Sequence, residues 1–176
     1  MCRHLRSLRT LEQDHGWIHH LLEEAENERM HLFVFLQMKK PRILFRFLII
    51  LSQGIVFNNF MILYLISPKT AHRVVGYMEE EAVKTYSHCI DNLDKGNLPE
   101  WSKMNATSFA SDYWNLPKNA KFRDLLLAVR ADECVHREVN HHFASLRKDA
   151  LIENEMIYVN DGERKEENTE EPSKNK

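Results

Sequence analysis

Two short stretches constrain what this chain can fold into more than any other feature. In AENERMHL, residues 25–32, Glu28 and His31 stand three apart; in RADECVH, residues 130–136, Glu133 and His136 repeat the spacing. Each pair interrupts an apolar stripe at helical spacing. The first stripe runs Leu21, Ala25, Glu28, His31 with Leu32, and Phe35; the second runs Leu126, Val129, Glu133, His136 and Phe143. A third, Val75, Gly76, Glu79, Ala82 with Val83, Tyr86 and Ile90, carries a lone glutamate. A carboxylate turned into an apolar core without a partner is costly or neutralises. A hard, highly charged cation removes that cost. Positions i and i+3 project from one side of a helix with Cβ atoms about 5–6 Å apart, so a carboxylate and an imidazole at that spacing can serve one metal centre. Two ExxH helices joined by a glutamate from each of two others make the ferritin-like dinuclear carboxylate arrangement. Glu28, His31, Glu79, Glu133 and His136 are therefore the expected metal ligands. The competing reading is three solvated or salt-bridged helix faces. Glu23, Glu24 and Glu26 read as solvated. His19, His20, His88, His141 and His142 lack an ExxH partner and read as surface or helix-end residues. Tyr86, two turns beyond Glu79, could supply an electron and a proton near a dinuclear site, or be a core aromatic.

The rest of the chain supports an all-α fold. Only five of 176 residues are glycine, and helical patterns predict helices over 3–13, 17–38, 43–66, 70–94, 105–113 and 119–148. DHG at 14–16, Pro41, SPKT at 67–70, DKGNLPEW at 94–101 and NLPKNA at 115–120 separate them. Asp14 and the SPKT segment are expected caps. Residues 1–150 read as one domain, and the charged, apolar-poor stretch 160–176 as a disordered tail. A net charge of -2 carries no nucleic-acid footprint. Cys2, Cys89 and Cys134 form no disulfide framework or CxxC and read as reduced, buried thiols.

The segment Ile43–Ile66, ILFRFLIILSQGIVFNNFMILYLI, is long enough to cross a bilayer. Arg46, Gln53, Ser52 and Asn59 nevertheless cluster on one arc, with Asn58 alone elsewhere. Lys39, Lys40 and Arg42 flank one end; Lys69, His72 and Arg73 flank the other. A polar arc beside a broad apolar face, with cations at both ends, favours a helix lying in the membrane interface over a span or a buried core helix.

Three blocks, EEAENERMHL (23–32), HRVVGYMEEEAVKTY (72–86) and YWNLPKNAKFRDLLLAVRADECVHREVNHHFA (113–144), stand in the order seen in the alternative oxidases. The chain resembles these mitochondrial di-iron ubiquinol oxidases over about residues 1–150. The resemblance implies a ferritin-like bundle with two iron ions held by Glu28, His31, Glu79, Glu133 and His136, and Tyr86 as the catalytic tyrosine. It implies a polar network of Asn27, His72, Trp114 and Asp132 behind the ligands, and a quinol pocket that includes Met78, Glu81, Ala82 and Thr85. It also implies a homodimer through His4, Leu5, Leu8, Arg9, Arg29, Leu32 and Gln53. The implied setting is monotopic on the matrix face of the mitochondrial inner membrane, with ubiquinol, dioxygen and lipid as partners and no nucleic acid. The implied reaction reduces dioxygen to water with ubiquinol electrons and pumps no protons. The family's first bridging glutamate lies in a helical LET motif upstream of the segment matching Met1. That motif is absent, so five of six ligands are expected, in an N-terminally shortened member without quinol oxidase activity of its own. The rival readings are a non-catalytic, membrane-associated helical dimer and a di-iron hydroxylase.

Overall fold

The computed structural model describes residues 1–147 and 150. Among them it has seven helices: α1 (Cys2–Thr10), α2 (Trp17–Lys39), α3 (Ile43–Ile66), α4 (Pro68–Asp94), α5 (Pro99–Ser102), α6 (Ser108–Tyr113) and α7 (Phe122–Ser145). The expected disordered tail, 160–176, lies outside the described residues. The long helices begin where local chemistry sets them. Ser67 accepts from the Thr70 backbone N–H and Pro68 occupies the first turn of α4, where its missing donor costs nothing. Gly16, at φ 90°, is the N-cap residue of α2, while Asp14 reaches forward to accept from the Ile18 backbone N–H. Lys40, at φ 47°, closes α2 as its N–H returns to the Leu36 carbonyl. The short α5 was expected to be loop; Pro99 opens it and it lasts one turn.

Helices α2 and α7 pair antiparallel, and α7 packs along α4. The core divides into two apolar clusters. One joins Val34 of α2, Ile90 and Leu93 of α4, Ala110 of α6, and Phe122, Leu125, Leu126 and Val129 of α7. The other joins Trp17 of α2 to Val139 and Phe143 of α7. The ExxH turns fall between the clusters, so apolar packing above and below holds a polar layer in place.

The outer side of the α4–α7 seam explains Gly76. A Cβ there would lie 2.7 Å from both Cε1 and Nδ1 of His141. The His141 ring lies over the glycine, accepts from Arg73 Nη1 at Nδ1 (2.8 Å) and donates from Nε2 to Glu80 (3.0 Å). His141 is therefore an interhelical clasp rather than the surface residue its sequence context suggests. His20 is likewise buried. The three thiols are free and partly buried, not fully buried as expected.

Helix α3 has no buried residue. It is the one helix among those described that is long and apolar enough to cross a membrane. Ser52, Gln53, Phe57 and Phe60 line a groove of about 940 Å³ that ends at Glu28 of α2. Phe47, Leu51, Ile55, Ile62 and Leu65 remain exposed on the other side. Asn58 and Asn59 satisfy their amides on their own helix, donating to the Gly54 (2.7 Å) and Ile55 (2.9 Å) carbonyls.

Candidate metal centre

Antiparallel pairing brings two copies of one motif together in opposite order. Glu28 of α2 faces His136 of α7, with His136 Nδ1 2.9 Å from Glu28 Oε1. His31 faces Glu133, with His31 Nδ1 3.4 Å from Glu133 Oε1 and 3.4 Å from its own Glu28 Oε2. Helix α4 adds Glu79. Ligand atoms of Glu28, Glu79, Glu133 and His136 all lie within 4.8 Å of one another. His31, Glu133 and His136 are buried, whereas Glu28 keeps 47 % of its side-chain surface open toward the cavity it lines. All five residues singled out by spacing meet at one place.

The electrostatics are those of carboxylates and imidazoles crowded at one buried point. Burial works to raise the Glu28 carboxyl, but the hydrogen bond from His136 and the imidazole of His31 beside it outweigh burial and hold it at about 2. Burial works to depress the His31 imidazolium, but Asp132, Glu133 and Glu28 raise it to about 11. His136 is also raised, against its burial, by Glu28 and the neighbouring carboxylates. Burial, and then the adjacent Glu133 carboxylate, pushes Glu79 well above the ordinary range. His31 thus favours its cationic form and Glu79 its protonated form beside the Glu28 carboxylate. Two buried atoms, His31 Nδ1 and Glu133 Oε2, still lack hydrogen bonds. Hard carboxylate oxygens with two imidazoles are a donor set suited to iron or manganese, and two orphaned donor atoms facing one point fit such an ion.

Behind His31, Asp132 Oδ2 accepts from Trp114 Nε1 (2.7 Å), Asn27 Nδ2 (2.9 Å) and His31 Nε2 (3.1 Å). A carboxylate at Nε2 makes that nitrogen the donor and turns Nδ1 to the centre. Burial works to raise Asp132, yet hydrogen bonds from His31, Asn27 and Trp114 keep it low. Three of the four residues expected in one network therefore share one oxygen. The fourth, His72, does not join them. It is buried in α4 with Nδ1 3.0 Å from Asn140 Oδ1, boxed by the rings of Trp17, Tyr64 and Phe143.

Sequence reading missed two residues. Glu24, expected to be solvated, turns inward: its oxygens Oε1 and Oε2 each lie 3.2 Å from Asn140 Nδ2, and burial raises its carboxyl to about 7, against an opposing pull from His136. The signal was available, since Glu24 stands four before Glu28 and Asn140 four after His136. Each extends an ExxH face by one turn.

Tyr86 is half-buried and stacked on Phe35, ring centroids 6.3 Å apart. Burial, then Glu133, Glu28 and Glu79, raises its hydroxyl far above its usual range, which keeps the phenol protonated. Met78, Glu81 and Thr85 lie on the exposed side of α4 with Ala82 beside them, and line neither the 940 Å³ groove nor the cavity of about 710 Å³ that opens on Glu24, Glu28, Glu79 and His136. His4, Leu5, Leu8, Arg9, Arg29, Leu32 and Gln53 are all exposed.

The family model for alternative oxidase matches residues 1–145. Among curated relatives named "Alternative oxidase, mitochondrial", that of Cryptococcus neoformans var. grubii is 55% identical over 144 residues, covering 82% of this chain and 36% of the relative. That of Emericella nidulans is 54% identical over 149 residues (84% and 42%), and that of Monilinia fructicola 53% over 152 residues (85% and 42%). The chain thus spans about two fifths of the length of the relatives it matches.

Proposed function

The chain belongs to the alternative oxidase family, and on that premise we propose that it forms the di-iron half-site of a ubiquinol oxidase. That oxidase reduces dioxygen to water on the matrix face of the mitochondrial inner membrane and pumps no protons. The observation that carries this reading is the convergence of Glu28, Glu79, Glu133 and His136 within 4.8 Å, with His31 at their side.

Glu28, His31, Glu79, Glu133 and His136 would hold the metal. When bound, the iron pair supplies the dioxygen binding and multi-electron redox chemistry that side chains lack. The protein's own residues set the conditions. Asp132 fixes the orientation of the His31 ring, and Asn27 and Trp114 fix Asp132. The neighbouring carboxylates and burial favour a proton on His31 and on Glu79, which a bound cation would displace. Tyr86 keeps its hydrogen beside the carboxylates and is the side chain suited to deliver an electron together with a proton. In the balanced reaction two ubiquinols give up four electrons and four protons, and one dioxygen accepts them to give two waters.

Helix α3 supports membrane attachment: an apolar surface of this size on one helix is otherwise an association hazard, and its groove leads toward Glu28. The quinol is assigned to the α4 face carrying Met78, Glu81, Ala82 and Thr85, and the homodimer contact to the exposed residues of α1 with Arg29, Leu32 and Gln53. Both assignments rest on the family pattern. The test is ubiquinol-dependent oxygen uptake by membranes in which residues 1–145 replace the matching segment of a full-length relative, with Glu79→Ala and Tyr86→Phe variants alongside. Uptake that both substitutions abolish supports the assignment; uptake unaffected by Glu79→Ala overturns it.

A further inference from the structure

We propose that Glu24 is a positioning residue of the centre, which acts by fixing the orientation of the Asn140 amide between α2, α7 and α4. This inference rests on the metal-centre reading.

The Asn140 side chain is 2 % exposed and every polar contact it makes has a direction. Its Nδ2 donates to the Glu24 carboxylate at 3.2 Å to both oxygens, and to the His136 carbonyl at 3.0 Å. Its Oδ1 faces His72 Nδ1 at 3.0 Å. The His136 carbonyl accepts only, as does the ionised Glu24 carboxylate, so the amide nitrogen faces both and the oxygen faces His72. Flipping the amide would set two acceptors against each other beside a buried histidine. With Oδ1 fixed, His72 must donate from Nδ1. Its Nε2 then faces the box of Trp17, Tyr64 and Phe143, where it has no hydrogen-bond partner. Burial lowers the His72 pKa, which agrees with a neutral ring.

Glu24, together with the His136 carbonyl, thus sets which way Asn140 points, and Asn140 sets the His72 tautomer. The same amide ties off the backbone carbonyl of His136, and so holds the turn that aims the His136 ring at Glu28. The chain of contacts ties α2 to α4 through α7, one helical turn from the ligands. Side chains that orient metal ligands commonly change metal affinity 10–100-fold when removed. Asn27, Trp114 and Asp132 serve His31 this way; Glu24 and Asn140 serve His136.

The test uses the whole chain with Glu24→Gln, which preserves volume, and Glu24→Ala. In metal-free protein, long-range ¹H–¹⁵N correlation of the histidine rings should show His72 as a single Nδ1–H tautomer, and Glu24→Gln should convert it to a mixture. Iron titration should show affinity falling about 10–100-fold in Glu24→Ala, with a changed Mössbauer quadrupole splitting at the iron. Glu24→Asp, which restores the carboxylate, should recover part of both signals. If the His72 tautomer, the iron affinity and the splitting are all unchanged in folded Glu24→Gln, the proposal is wrong. If the wild type binds no iron while the tautomer still responds to Glu24→Gln, the metal-centre reading fails and only the orientation of Asn140 survives.

Discussion

Replacing Asp132 with alanine removes the acceptor on which three donors converge. Hydrogen bonds to an ionised partner contribute roughly 1.5–3 kcal/mol each, so the three together set a ceiling of roughly 5–9 kcal/mol. The environment lowers that figure. Asp132 keeps 25 % of its side-chain surface exposed, and the half-buried Asn27 and Trp114 can turn their donors to water. His31, with 5 % of its side chain exposed, has no such recourse at Nε2. Its uncompensated donor, with partial losses at the other two, gives an expected destabilisation of about 2–4 kcal/mol for the metal-free protein. The assay is urea unfolding in detergent micelles at pH 7, with an unchanged denaturant slope as evidence that the same transition is measured. Asp112→Ala, at an exposed position, is the control and should stay within about 0.5 kcal/mol. The same substitution frees the His31 ring to rotate, so iron affinity should fall about 10–100-fold. A loss below about 1 kcal/mol with intact iron affinity would refute the assignment of Asp132 as the group that orients the His31 ring.

Loading iron must expel the protons that His31 and Glu79 hold in the metal-free centre, so titration in weakly buffered solution should acidify it and affinity should rise with pH; no proton release would contradict the charge assignment. In metal-free protein, the His31 contribution to stability is complete below its unfolded value of 6.5 and lost as pH rises through about 11, whereas that of Glu28 is complete above 4.5 and lost as pH falls through about 2. Glu79, also raised, adds a loss that begins above 4.5, so unfolding midpoints should peak near pH 5 and decline on both sides. Gly76→Ala should cost about 1–3 kcal/mol by forcing the His141 ring off its position between Arg73 and Glu80, and most of that cost should vanish in a His141→Ala background. Spin labels at Phe47 and Ile62 should report similar bilayer depths if α3 lies in the interface; a span would separate them by up to about 23 Å along the helix axis.

The five ligand candidates were legible because ExxH on an apolar stripe violates the pattern of a plain amphipathic helix, and only a shared site resolves the violation. Helix limits followed from Ser67, Pro41 and the apolar periodicity, which act locally. Glu24 was only partly legible: it extends an ExxH face by one turn, but its neighbours Glu23 and Glu26 are exposed, and only the pairing register of α2 against α7 shows that it meets Asn140. The partner of His72 was not legible for a related reason. A family pattern records that residues belong to a site but not which of two networks they enter, and here the α4–α7 register sends it to Asn140 rather than Asp132. His141 depended on Gly76, one helix away, whose lack of a side chain makes room for the ring.

Iron content tests the central claim most directly. Residues 1–145 grafted in place of the matching segment of a full-length relative, reconstituted anaerobically with ferrous iron and freed of excess, should retain about two irons per chain, as a dinuclear carboxylate bundle does. Glu79→Ala and His136→Ala, with helix content unchanged by circular dichroism, should each lose most of that iron. Full retention of both irons by folded His136→Ala would contradict it.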